Sequence, residues 1–280
     1  MTILVTGARG NVGRRVLHRL YAAGHSLRAS GRTPSELDVP DGVETVRLDL
    51  NDPGTFAAAF DGVTSVLLYA EPDGAEELMK AAKEAGVRHI VLLSSNTADL
   101  PDPENDPLGH HHIVVEEALV ASGISYTLLR PGAFCSNALG WSYLIQQGAI
   151  DQVFPEAHTV PIHEDDIADV AVIALTEQKL VDEVVDLCGP ESLTFRQQLA
   201  VIADVTGRDI EVRELTREQG EEQMSAWVEA PILASLLAQW EASNGKPLDA
   251  SATAERITGK PARTFRQWVE ENAAVFAPAA

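Results

Sequence analysis

Thr6-Gly7-Ala8-Arg9-Gly10-Asn11-Val12-Gly13 is the stretch whose reading decides the fold. It follows a short apolar run, Thr2–Thr6, and opens a segment of helical period. The spacing is Gly-x-x-Gly-x-x-Gly, one residue longer in its first gap than the standard dinucleotide fingerprint. Gly7 permits a tight turn, Gly10 lets backbone N–H groups approach a pyrophosphate, and Gly13 lets helix and strand pack closely. Asn11 and Val12 then stand at the helix N-terminus, where free N–H donors and partial positive charge suit an anion. A glycine triplet alone could be an ordinary turn. In this strand–turn–helix context it points to dinucleotide binding.

The residues further along choose the dinucleotide. A carboxylate about 20 residues past the glycines holds the ribose 2′-hydroxyl in NAD sites. Here the stretch is Arg28-Ala29-Ser30-Gly31-Arg32-Thr33, with no acid. Arg32 offers a fork-shaped donor to a 2′-phosphate, and Arg9 can assist. The expected cofactor is therefore NADP(H) in preference to NAD(H). Asp49, in Arg47-Leu48-Asp49-Leu50 at the end of the third strand, is placed to accept from an adenine amino group, with Leu50 beside it.

Strand-like runs recur at Ser26–Ser30, Val43–Leu48, Thr64–Tyr69, Arg88–Ser94 and Ser125–Leu129. They are rich in Val, Ile and Leu, as strands buried on both faces are. Helical patterns lie between them. Thr33-Pro34-Ser35-Glu36 reads as a capping box with Pro at the first helical position, and Asp52-Pro53 reads as a second helix start. Asp73 and Glu76 frame a third, stopped by Gly86. This alternation predicts an α/β fold with a doubly wound parallel sheet. It falters after Arg130, and one helix is expected near 138–147. A helix at Asp165–Thr176 and a strand at Val184–Cys188 return to the sheet. Glu164 to Asp166 read as the cap and acidic first turn of that helix. Thr194 and Thr264 open further capping boxes, and from 216 the chain reads as mainly helical, with Met224, Trp227, Leu233, Leu237 and Trp240 as apolar positions. The expected organisation is a nucleotide-binding core at 1–130, rejoined by 164–190, and a smaller, mainly helical substrate lobe from 131–163 and 191–280.

The chain has 280 residues and a formal net charge of -21. A direct nucleic-acid partner needs a basic footprint, so none is expected. An anionic membrane surface is excluded on the same ground, and no apolar run approaches the ~20 residues of a membrane helix. The acidic balance also points to a neutral, apolar small-molecule substrate. Cys135 and Cys188 are the only cysteines and are expected to stay reduced. With no basic n-region before an apolar stretch, a cytoplasmic protein is expected. The sequence leaves monomer and homodimer open.

The pieces TGARGNVG, GR after strand two, RLDLND, HIVLLSS, SGISYTLLRPGAF and VPIHEDDIADVAVIAL occur in an order that resembles the NmrA-like group of atypical short-chain dehydrogenase/reductases. The likeness covers essentially the whole chain. It implies a Rossmann core, NAD(P)(H) binding and a C-terminal substrate lobe. The nearest pattern is that of NAD(P)H-dependent quinone reductases. Other members of the group are non-catalytic sensors of the NADP/NADPH state. One departure matters. The Tyr-x-x-x-Lys pair of short-chain dehydrogenases ends four residues before a glutamate like Glu116. Counting back, His112 holds the lysine position and Leu108 the tyrosine position. Leu108 cannot donate a proton, so carbonyl-reduction chemistry of the usual kind is not expected.

The active site should lie at the carboxyl ends of the strands. Tyr69, Ser94 and His112 are the candidate catalytic groups there. The resemblance places Leu68 to Ala70 and Pro131 to Phe134 beside the nicotinamide and its ribose, with Ser94 also at the cofactor. Tyr69 and Phe134 can supply aromatic walls for a flat acceptor. The expected activity is NADPH-dependent hydride transfer to a quinone, enone or carbonyl. A redox-sensing regulator is the alternative. His110 to His112 do not suggest a metal, because adjacent helical residues point apart.

Overall fold

A computed structural model describes residues 1–177 and 179–277. Its strands are β1 (Thr2–Val5), β2 (Ser26–Gly31), β3 (Glu44–Arg47), β4 (Val63–Tyr69), β5 (His89–Leu93), β6 (Ser125–Pro131), β7 (Ala149–Val153), β8 (His158–Thr159), β9 (Glu183–Leu187), β10 (Leu193–Thr194) and β11 (Glu211–Leu215). Its helices are α1 (Asn11–Ala22), α2 (Phe56–Phe60), α3 (Ala75–Glu84), α4 (Pro107–Ser122), α5 (Ser142–Gln147) and α6 (Glu164–Glu177). They continue as α7 (Phe195–Thr206), α8 (Arg217–Met224), α9 (Ala230–Ala242), α10 (Thr253–Thr258) and α11 (Phe265–Asn272). The chain divides into two compact units. The first comprises Met1–Pro131, Glu164–Leu187 and Ile257–Gly259; the second comprises Gly132–His163, Cys188–Arg256 and the residues from Lys260 onward.

The first unit is a seven-stranded parallel sheet in the order β3-β2-β1-β4-β5-β6-β9. Ile3, Leu4 and Val5 of β1 are fully buried, as a central strand covered on both faces requires. Alternation splits each strand between two layers. Leu4, Val66, Leu68, Ile90, Leu92 and Leu128 pack with Phe56, Leu78, Met79, Val115 and Leu119 of α2, α3 and α4. Helices α1 and α6 lie against each other. Arg19 joins them, donating to Asp169 and Asp165 at 2.7 Å each, and Arg15 approaches Asp165 at 3.2 Å. Asp165, in the acidic turn Glu164–Asp166, is thus part of this α1–α6 packing.

In the second unit β7 pairs with β11 in parallel and β8 with β10 antiparallel. Ile145, Ile150, Leu199, Ile202, Phe265, Trp268 and Phe276 form its core, with Trp268 stacked on Phe265 at 6.0 Å. Capping boxes at Thr194/Gln197 and Thr264/Gln267 start α7 and α11 as the sequence implies, and a third at Thr216/Gln219 starts α8.

Four local expectations are corrected. Thr33 to Glu36 form a single 3-10 turn, Pro34–Glu36, and the Thr33 side chain caps nothing. Gly74, not Asp73, stands at the N-cap of α3. The helix expected near 138–147 is a 3-10 segment, Cys135–Trp141, followed by the short α5. Trp227 is not a core position: it sits between α8 and α9, 88% exposed. Neither cysteine is in a disulfide.

Candidate functional site

The turn between β1 and α1 is built as its glycines demand. Gly7 has φ +59, which a side chain rarely tolerates, and its carbonyl accepts from Gly10 N–H at 2.8 Å. A Cβ at Gly13 would stand 2.3 Å from the Gly7 oxygen. The helix can therefore close onto the turn only because Gly13 has no side chain. No side chain caps α1 and no acid occupies its first turn. The helix end is open to an anion.

Above the turn lies a cleft of about 370 Å³ in the first unit. Gly7, Arg9, Arg32, Asp49, Leu50 and Tyr69 line it, all expected from sequence. Ser30, Leu37, Asn51 and Glu71 line it as well and were not expected. Leu37 arrives because the 3-10 turn folds back: a Cβ on Gly31 would meet its methyl at 3.2 Å. Asn51 and Glu71 sit just past the two strand ends that carry Asp49 and Tyr69, and that position was their only sequence signal. Asp49 accepts from Asn51 N–H at 3.3 Å, so it orders its own turn while facing the cleft. Tyr69 is 54% exposed, and its N–H donates to Thr6 Oγ1 at 2.8 Å. A larger groove of about 700 Å³ runs between α3 and α4, and none of the glycine-turn residues reaches it.

Several expected contacts do not reach this cleft as side chains. Leu68 and Ala70 are buried in the layer under α2, α3 and α4, because they alternate with Tyr69 along the chain. Only their backbone can border a ligand. Pro131 ends β6 in the first unit. Phe134 belongs to the second unit, where it pairs with Ile162.

Ser94 has a partner that constrains it. Its hydroxyl donates to Glu116 Oε1 at 2.5 Å. Glu116 is 3% exposed and takes two further bonds from Arg130, at 3.0 and 2.6 Å. A buried carboxylate needs such a bidentate partner. The Glu116–Arg130 link is set by residues 14 apart and was not foreseen. The proton of Ser94 is engaged, so this side chain offers a ligand only lone pairs. His112 lies one turn before Glu116 on the same face of α4. Its Nδ1 is buried without a hydrogen-bond partner. Burial first, and then neighbouring His111 at 5.1 Å, push the imidazole down to about 4. A ring so shifted is neutral near neutral pH.

The residues fit a dinucleotide on three counts: a turn that a Cβ would fill, an uncapped helix N-terminus, and arginines on the adjoining rim. Comparisons with known proteins agree. Residues 7–178 match a family model described as NAD(P)H-binding. The chain is 36% identical to (4-alkanoyl-5-oxo-2,5-dihydrofuran-3-yl)methyl phosphate reductase of Streptomyces griseus, over 99% of each protein. It is 32% identical to an NAD(P)H azoreductase of Xenophilus azovorans, over 99% of this chain and 100% of the other. Among solved structures it resembles an NADPH-dependent quinone oxidoreductase of Escherichia coli, at 26% identity and a TM-score of 0.81, covering 97% of this chain and 99% of that one. No helix among the described residues is long and apolar enough to cross a membrane.

Proposed function

The chain belongs to the NAD(P)H-binding family, and on that premise we propose that it is an NAD(P)H-dependent oxidoreductase that prefers NADPH and reduces a small conjugated acceptor, a quinone or an enone. The bound nicotinamide supplies the hydride. The glycine turn and the head of α1 hold the pyrophosphate, Arg32 and Arg9 hold the 2′-phosphate, and Asp49 accepts from the adenine amino group. Tyr69 and Pro131 border the nicotinamide end. His112, one turn before Glu116 on α4, is assigned to the nicotinamide ribose. Substrate selection is assigned to the second unit.

One observation carries the substrate class: the two positions of the usual tyrosine–lysine pair, and the serine beside them, offer no good acid. Leu108 has no proton to give, His112 is neutral, and the Ser94 proton is engaged by Glu116. An isolated ketone that accepts hydride becomes a localised alkoxide and gains much from general acid catalysis. A quinone or enone spreads the charge over a conjugated system and needs less help. The acidic balance of the chain supports a neutral acceptor. The relative from S. griseus is named for a phosphate ester, so a test panel should include an anionic enone. NADPH oxidation, followed at the nicotinamide absorbance, is expected with quinones and enones and not with unconjugated ketones of similar size. Equal turnover of the ketones would overturn the assignment. Tight NADPH binding with no turnover across the panel would instead support a redox sensor.

A further inference from the structure

Glu36 reads in the sequence as the glutamate of a capping box. In the structure it caps nothing, because Pro34–Glu36 is only one 3-10 turn and Thr33 offers no side-chain bond. Its carboxylate instead reaches back 27 residues and accepts from Arg9 Nη1 at 2.9 Å. Arg9 belongs to the glycine turn and lines the cleft. Arg32, on the same cleft, has no hydrogen-bond or ion-pair partner among the described residues. The two arginines that face one anion site therefore differ: one is paired with an internal carboxylate and one is not.

Building on the cofactor assignment above, we infer that Glu36 is a specificity-determining residue that competes with the 2′-phosphate of NADPH for Arg9. The Arg9–Glu36 pair is exposed, at 66% and 58% of the two side chains, so it is weak and exchangeable. A phosphate is a stronger partner for a guanidinium than a solvated carboxylate is. Entry of NADPH draws Arg9 away from Glu36 and leaves that carboxylate near a second anion. NADH has a hydroxyl there and gives Arg9 no reason to leave. Glu36 thus lowers NADPH affinity selectively and keeps the site open to both cofactors.

The test measures dissociation constants for NADPH and NADH by fluorescence titration, without turnover. Glu36→Gln should tighten NADPH about two- to fivefold and leave NADH within about twofold. In an Arg9→Gln background the same substitution should change the ratio of the two constants much less. An unchanged ratio in Glu36→Gln overturns the inference, as does an equal rise with and without Arg9. Arg32→Gln separates the premise from the inference. It should weaken NADPH selectively, and if it does not, the 2′-phosphate assignment itself fails. A selective Arg32→Gln beside a flat Glu36→Gln removes only the role of Glu36.

Discussion

His112 is the residue whose environment most changes its chemistry. An exposed histidine titrates near 6.5, and this one is pushed down to about 4, chiefly by burial. Between those values the unfolded chain binds a proton that the native ring refuses. Stability then rises with pH across the window, because the unfolded state holds more protons. Its contribution is complete above about pH 6.5 and is lost as pH falls toward 4, on the order of 3 kcal/mol. His112→Gln cannot titrate, so its melting temperature should fall less steeply over that range than the wild type's. Buried His89, also shifted down, keeps part of the slope in both proteins. Parallel curves would show that the native ring titrates normally. The same shift means that the kcat/KM profile should show no His112 ionisation from about pH 6 to 8, and a break there that disappears in His112→Gln would restore the residue as a proton donor.

At the scale of elements, Ser94, Glu116 and Arg130 fasten α4 to the ends of β5 and β6. The three side chains are not equal partners. Removing Arg130 strands a buried carboxylate, which costs about 3–5 kcal/mol. Removing the Ser94 hydroxyl leaves Glu116 still paired to Arg130 and costs about 1 kcal/mol. Urea denaturation of Arg130→Met and Ser94→Ala should reproduce that order, and similar losses would mean that solvent reaches Glu116 in place of Arg130. The elements themselves were legible where backbone geometry dictates residue type. Gly7 is glycine because its φ is left-handed, and Gly13 because a Cβ there would collide with the Gly7 carbonyl, so the turn is written in local sequence. Thr194 and Thr264 were legible for the same reason, since both halves of a capping box lie within four residues. Thr33 matched that pattern and failed, because the segment after Glu36 does not continue as helix. The β7–β11 pair was missed because its strands lie about 60 residues apart and neither Ala149-Ile150-Asp151-Gln152-Val153 nor its partner alternates cleanly. The candidate site divides along the same line. Arg9 and Arg32 were visible in place, whereas their difference rests on Glu36, whose contact no local pattern records.

For the whole molecule the governing quantity is the net charge of -21, set against a cofactor that is itself an anion. The cleft does not offer a strong positive field to offset it. Arg9 and Arg32 line it, but so do Asp49 and Glu71, and Arg9 is already paired with Glu36. At low ionic strength the Debye length is about 30 Å, so an approaching dinucleotide senses the acidic molecule before it senses the arginines. At about 0.15 M it is near 8 Å, and only charges around the cleft are felt. Association should therefore quicken as salt is raised from about 0.01 to 0.15 M, the reverse of electrostatic steering. The dissociation rate should rise too, because the proposed contacts of Arg32 with the 2′-phosphate are screened at close range. Stopped-flow binding of NADPH separates the two constants. An association rate that falls with salt would mean that the cleft's own field extends beyond the acidic surface. In that case Arg32 and the α1 N-terminus would govern the encounter as well as the bound state.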